Sequence, residues 1–388
     1  MILVKDSLER LYRYCKNQEW RGYDPYDALN SKLFQLVPFI KNHKSFRLFF
    51  LQLNKRCRVN LRPILLVPKG RNPKALGLFL SALINLYKHQ KSDEYLDIIK
   101  KCVRWLKEDR SPGYSGDCWG HDFSWQSRAF FLPKGTPTVV NTSFVGRALL
   151  SAYEVFQKEE YLQMARSACD FILNDLNRLE DQHTLCFSYS PRDRYFVHNA
   201  TALGSSLLAL TYQITQEESL ARIAKKSIQY VIDHQRPEGF WPYGENSVAQ
   251  KTGTDNFHSG FILESLKIYS QSTGDFSYNQ NIKKGLKFYQ ENFFLQDGTP
   301  KYYPHKTYPI DIHSASQAVI TLSQLKEYGA DEGLLEKTVS WMIHHMQDSR
   351  GYFHYQKTKL CKNRIPYMRW AQSWTLYALS LCLSSHGS

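Results

Sequence analysis

The chain has 388 residues, 43% of them hydrophobic and 22% charged, and its 50 basic against 36 acidic side chains give a formal net charge of +14. This is the make-up of a soluble globular protein able to bury a large core. The excess charge attracts anions at long range. Basic residues run no longer than pairs such as Lys225-Lys226, and no zinc-finger, RNP or basic-zipper pattern occurs, so nucleic acid is not the expected partner.

In chain order, the first expected element is an amphipathic helix within residues 1–20, with Leu3, Leu8, Leu11 and Tyr12 on its apolar side. It lacks the apolar core and small-residue cleavage site of a signal peptide. No apolar stretch approaches the ~18 residues of a membrane span. The eight cysteines are scattered without a CxxC pair. Buried thiols in a reducing, cytoplasmic setting are expected, rather than a disulfide frame or a zinc site. Two loops follow, Tyr23-Asp24-Pro25-Tyr26-Asp27 and Lys69-Gly70-Arg71-Asn72-Pro73. The second has neither the spacing nor the preceding strand of a phosphate loop, and reads as a turn into a helix, with Arg71 expected to line the mouth and bind substrate.

From there, apolar residues recur at helical period in paired segments: 73–90 with 93–107, 141–157 with 161–178, 198–215 with 219–235, 255–270 with 278–294, and 313–328 with 332–347. A last helix spans 369–383, and the N-terminal helix is its available partner, making about six hairpins. Asn141, His198, Asp255, His313 and Arg369 begin the first helices of successive units, 57, 57, 58 and 56 residues apart. Aromatic-rich linkers precede these starts, among them Gly239-Phe240-Trp241-Pro242-Tyr243 and Gly351-Tyr352-Phe353-His354-Tyr355. A period this long marks one supersecondary unit repeated. The final helix is as apolar as the middle ones, which favours closure over an open, capped solenoid. The expected fold is therefore all-α, a single-domain (α/α)6 toroid over residues 1–388, with residues 1–72 wrapping or closing the ring.

In such a ring the inner helices run parallel and gather their N-termini, with unpaired N–H groups and positive partial charge, at one end. Asp255 with His258, and Asp311 with His313, place carboxylate and imidazole there for general acid–base work: hydrolysis, β-elimination or C5 epimerisation. Paired acids for hydrolysis would be Asp255 and Asp311, or either with Glu245. Arg369 would hold a substrate carboxylate or sulfate in bidentate fashion. Asn141, His198, Asn199 and Tyr367 stand at equivalent helix starts, and Trp125, Trp241 and Tyr243 offer flat rings for stacking on sugars. Each also has a plainer reading. Asn141, Asp255 and Asp311 are good N-caps, His198 and His313 can be structural, Arg369 can pair with an internal carboxylate, and most aromatics can be packing between hairpins. The ligand spacing for a metal is loose, so neither a metal nor a cofactor is expected.

The strings RGYDPYDALNS, KGRNPKALGLFLSA, GTPTVVNTSFVGRALL, TDNFHSGF, YPIDIHSASQA and IPYMRWAQSW resemble an (α/α)6-toroid family of bacterial polysaccharide-biosynthesis loci. The resemblance runs from about residue 20 to 384. That family is similar to the six-hairpin glycosidase superfamily, whose toroid serves hydrolases, lyases and sugar epimerases. The resemblance implies a carbohydrate ligand, expected to be an acidic or amino-sugar glycan, and a part in cell-surface polysaccharide production. Two other readings stand beside it: a non-catalytic glycan-binding or scaffold module, and an isoprenoid-handling toroid, for which DxDD and DDxxD motifs are absent.

Overall fold

The computed structural model describes residues 2–244 and 253–384. Helix α1 (Ile2–Asn17) is followed by the short α2 (Lys32–Gln35), α3 (Pro38–Asn42) and α4 (Lys44–Arg56). Five hairpins come next: α5 (Pro73–His89) with α6 (Asp93–Glu108), α7 (Val139–Phe156) with α8 (Glu159–Asn174), α9 (His198–Thr215) with α10 (Glu218–Asp233), α11 (Asn256–Thr273) with α12 (Asn279–Asn292), and α13 (Ile312–Gln324) with α14 (Glu332–Met346). The chain ends in a π-helical turn, Met368–Ser373, that runs into α15 (Trp374–Ser384).

The odd-numbered helices from α5 to α15 form the inner ring. Each packs on the next, and α15 packs back on α5, so the ring closes. These helices are apolar on almost every side, as elements covered all round must be; Leu76 through Leu80 of α5 are all buried. The outer helices are amphipathic, with one stripe turned to the ring: Ile98, Ile99, Cys102, Val103 and Leu106 are the buried residues of α6. Helix α1 lies against α15 and α14 as the outer partner of the last inner helix. Among the described residues this makes six inner and six outer helices.

Side-chain caps set four of the inner starts. Asn72 accepts the N–H of Lys74 ahead of Pro73, and Thr138 accepts that of Asn141. Asp255 and Asp311 accept the N–H groups of His258 and His313. Gln157, Gln216 and Gly274, at φ 51°, 58° and 73°, end three successive inner helices in the left-handed conformation. The linkers repeat one contact as well. A Cβ on Gly239 would stand 2.6 Å from the carbonyl oxygen of Lys284 in α12, and one on Gly351 would stand 2.4 Å from that of Arg10 in α1. Helix α1 thus receives its linker as the other outer helices do.

Residues 20–72 cross the N-terminal end of the inner ring as a strap. Gly22 bridges Gly70 at its two ends, and Leu29, Phe34 and Leu51 form a small core of its own. Two buried ion pairs pin it: Arg62 to Asp27 at 2.6 Å, and Asp24 to Arg369 of the π-helical turn at 2.6 and 2.8 Å. No helix among the described residues is long and apolar enough to cross a membrane.

Candidate active site at the mouth of the ring

Under the strap, the first turns of all six inner helices enclose a cavity of about 160 Å³. Lys74, Asn141, Asn199, His258, His313 and Arg369 each come from a different inner start, and Tyr26, Trp125, Tyr189, Tyr243, Tyr302 and Trp370 supply aromatic wall. This is the convergence that the 57-residue period makes unavoidable once the ring closes.

Asp255 uses both oxygens on His258. Oδ1 accepts the backbone N–H at 3.0 Å, and Oδ2 lies 2.7 Å from Nδ1 of the ring. A carboxylate on Nδ1 holds the proton there, which leaves Nε2 as the basic nitrogen. The His258 side chain keeps 22% exposure while Asp255 keeps 4%, so the imidazole meets the cavity and the carboxylate stands behind it. His313 is of another kind. It stacks on Phe257 (centroids 4.4 Å, planes at 14°) and against Trp370 and Trp374, and neither ring nitrogen has a hydrogen-bond partner. Burial, then the nearby Lys74 and Arg369 charges, hold it well below the ordinary imidazole range, in the neutral form.

Lys74 is buried at the floor, its Nζ 4.5 Å from the Phe144 ring centre and 5.1 Å from that of Trp374. Burial and Arg369 press its ammonium well below the usual lysine range. His121, on the loop before α7, stacks on Phe123 at 4.8 Å, and its Nδ1 accepts from the amides of Asn72 and Asn141 at 3.1 and 3.2 Å. The same Asn72 amide donates to Asp122 at 2.7 Å, and burial raises that carboxyl to about 6. Oδ1 of Asn141 and Oδ1 of Asn199 are buried without a partner. With the two nitrogens of His313, four polar atoms of cavity-lining residues await one. Unmet buried polar groups are costly, so the cavity is built for a polar occupant.

Several expected residues serve otherwise. Asp311 accepts from Trp370 Nε1 and Gln356 Nε2, both at 2.8 Å, and from the His313 N–H at 2.9 Å, so it frames the wall from behind. Arg369 lines the cavity, but Asp24 already neutralises it in the bidentate geometry expected for a substrate. Three residues leave the mouth altogether. Trp241 turns outward, donates to the Val231 carbonyl and fills the space over Gly285. Tyr367 is buried against Tyr355 beneath Arg62. His198 points away from the cavity, with Nδ1 on the Pro242 carbonyl at 2.7 Å and its ring against Tyr230 and His234. Glu245 lies outside the described residues. Arg71 lies on Trp105 at 3.9 Å and lines a neighbouring cleft of about 410 Å³ that shares His121 with the cavity.

Sequence reasoning passed over Lys74, His121, Asp122, Tyr26 and Trp370. Lys74 could have been found, since it holds the helix-start register of Asn141 and Asn199. His121 and Asp122 sit in a loop whose only signal is its neighbouring tryptophans.

This double ring with a polar, aromatic-walled mouth is an (α/α)6 toroid. Residues 74–190, the first two inner hairpins with the His121–Asp122 loop, match Glycosyl Hydrolase Family 88. The fold is similar to cellobiose 2-epimerase from Bacillus thermoamylovorans (18% identity, 82% of this chain and 90% of that chain, TM-score 0.63). It is also similar to the GH76 α-mannanase of Bacteroides thetaiotaomicron (14%, 80% and 86%, 0.58) and to a D-mannose isomerase (13%, 81% and 87%, 0.62). No curated protein matches the chain. The neighbours show the fold, and the match over residues 74–190 supports a carbohydrate-active enzyme.

Proposed function

We propose that the protein acts on one sugar unit held in the mouth, moving a proton at the carbon beside a carbonyl or carboxylate, as epimerases, isomerases and lyases do. The observation that carries this reading is the Asp255–His258 pair. Its carboxylate fixes one imidazole nitrogen and leaves the other facing an aromatic cavity with unmet polar atoms. His258 Nε2 takes the proton as general base. The neutral His313 donates a hydrogen bond to the oxygen on which charge develops, and Tyr243 and Trp125 flank the sugar face.

The acidic character of the substrate is supported by the neighbouring cleft, where Arg21, Lys69, Arg71 and Lys134 outnumber Glu108, Asp109 and Asp122; Arg369, already paired, adds less. A place in cell-surface polysaccharide production, in the cytoplasm, belongs to the same proposal and rests on the family resemblance and the scattered thiols. Hydrolysis is the second reading. It is favoured by Asp122, whose carboxyl, raised to about 6, has the proton affinity of a general acid.

The test is proton exchange followed by NMR in D2O, over a panel of reducing sugars and uronates. Wild type is expected to exchange one C–H with solvent, and His258→Ala to lose roughly 10²-fold or more of that rate with an intact melting transition. Exchange that survives in His258→Ala overturns the assignment. Glycoside cleavage without C–H exchange, abolished by Asp122→Asn, puts hydrolysis in its place.

A further inference from the structure

The ring has a second cavity, about two helical turns beyond the mouth. Ser81, Arg147, Leu210, Glu264, Gln324 and Tyr377, one from each inner helix, line a space of about 200 Å³. Phe144 stands between the two sites: Lys74 of the mouth approaches its ring at 4.5 Å and Arg147 of the far cavity at 5.8 Å. Nothing in the chemistry of the mouth uses these residues.

Their hydrogen bonding is lopsided. Glu264 is buried, and its Oε1 accepts from Gln317 and from Thr321. Its Oε2 lies 4.0 Å from Arg147 Nη2, beyond hydrogen-bond range. Burial pushes the Glu264 carboxyl up to about 7, which weakens it further as a counter-ion at neutral pH. Lys267, on the same wall, is spent on the Gln324 carbonyl at the end of α13 and lies 3.8 Å from Glu327. Arg147 is held by Glu264 only at this ion-pair distance, and its Nη1 is buried with no hydrogen-bond partner. A guanidinium presents a planar fork of donors matched to carboxylate or phosphate oxygens, and leaving a charged donor unmet out of water is costly. The inner helices turn their carbonyl ends this way, which opposes anions. Any anion here therefore depends on Arg147.

We propose that this far cavity is a second ligand site, taking a small carboxylate- or phosphate-bearing compound on Arg147, separate from the sugar site at the mouth.

Thermal melting and calorimetry of the full chain, with inorganic phosphate and with malonate as probes and chloride at matched ionic strength as control, test it. At least one probe is expected to raise Tm saturably by several degrees above chloride, and the more effective one identifies the oxyanion class. The rise disappears in Arg147→Met and persists in His258→Ala, which separates this site from the mouth. Ser151 of α7 also lines this cavity, and Ser151→Leu, which fills the space without removing charge, also abolishes the rise and carries the test should Arg147→Met not melt cooperatively. No rise above chloride with either probe, or an equal rise in Arg147→Met or Ser151→Leu, overturns the proposal.

Discussion

His258 and His313 stand in the first turns of adjacent inner helices, yet their surroundings give them different chemistry. Asp255 orients one, and aromatic rings alone enclose the other. Asp255 also caps α11, so its two roles must be separated. Asparagine caps a helix about as well as aspartate but supplies no charge to an imidazolium. Asp255→Asn is expected to keep stability within about 1 kcal/mol while lowering turnover by roughly 10²- to 10⁴-fold; kinetics and a urea melt on the same preparation read both. His198 gives a pH signature of its own. Burial lowers it from 6.5 to about 4, so the folded state favours the neutral ring. That contribution is present above pH 6.5 and is lost as pH falls from 6.5 towards 4, amounting to roughly 3 kcal/mol. His121 and His313, also lowered by burial, act in the same direction. Urea unfolding between pH 4 and 7 is expected to show a shallower acid decline in His198→Phe than in wild type. Coincident slopes would mean that His198 titrates normally.

At the scale of elements, each hairpin is joined to the next by a linker that lies against the following outer helix. Gly351 marks this contact for the last linker, at φ 97° with Arg10 of α1 immediately over it. A methyl group there meets backbone rather than a movable side chain. Gly351→Ala is expected to cost about 1–3 kcal/mol from overpacking, with left-handed strain added, and to lower Tm without changing the chemistry at the mouth. Equal Tm values would show that α1 yields easily and that the closing contact is loose. The π-helical turn at Met368–Ser373 belongs to this scale too. Wide turns of this kind gather at functional sites, and this one turns Arg369 and Trp370 inward to meet Asp24 and Asp311.

For the whole molecule, the decisive feature is that the twelfth helix comes from the other end of the chain. Leu8, Leu11, Tyr12 and Cys15 of α1 belong to the one large core, and without them α15 would turn apolar surface to water. Deletion of residues 2–17 is therefore expected to abolish cooperative melting and to raise binding of a hydrophobic dye, both read on the purified variant. A sharp transition near the wild-type Tm would mean that the inner ring holds without its last outer member. The strap is the second long-range device. One of its ion pairs joins residues 345 positions apart in sequence, Asp24 and Arg369, and so roofs a cavity that the ring alone would leave open.

The sequence by itself determined the repeat, the pairing of helices, the closure through α1 and the end of the ring where polar residues meet. All of these follow from apolar periodicity and the even spacing of helix starts, which are properties of neighbouring residues. It also put Asp255 beside His258, because three residues on a helix is a fixed geometry. What it left open is which way each polar residue at the mouth faces. His198 stands at an inner start and Trp241 in the linker before one, yet both turn away from the cavity, and Arg369 meets Asp24 before any ligand. Those outcomes depend on which partner reaches a side chain first across hundreds of residues of chain. Periodicity carries no record of that, and the packed tertiary structure decided it.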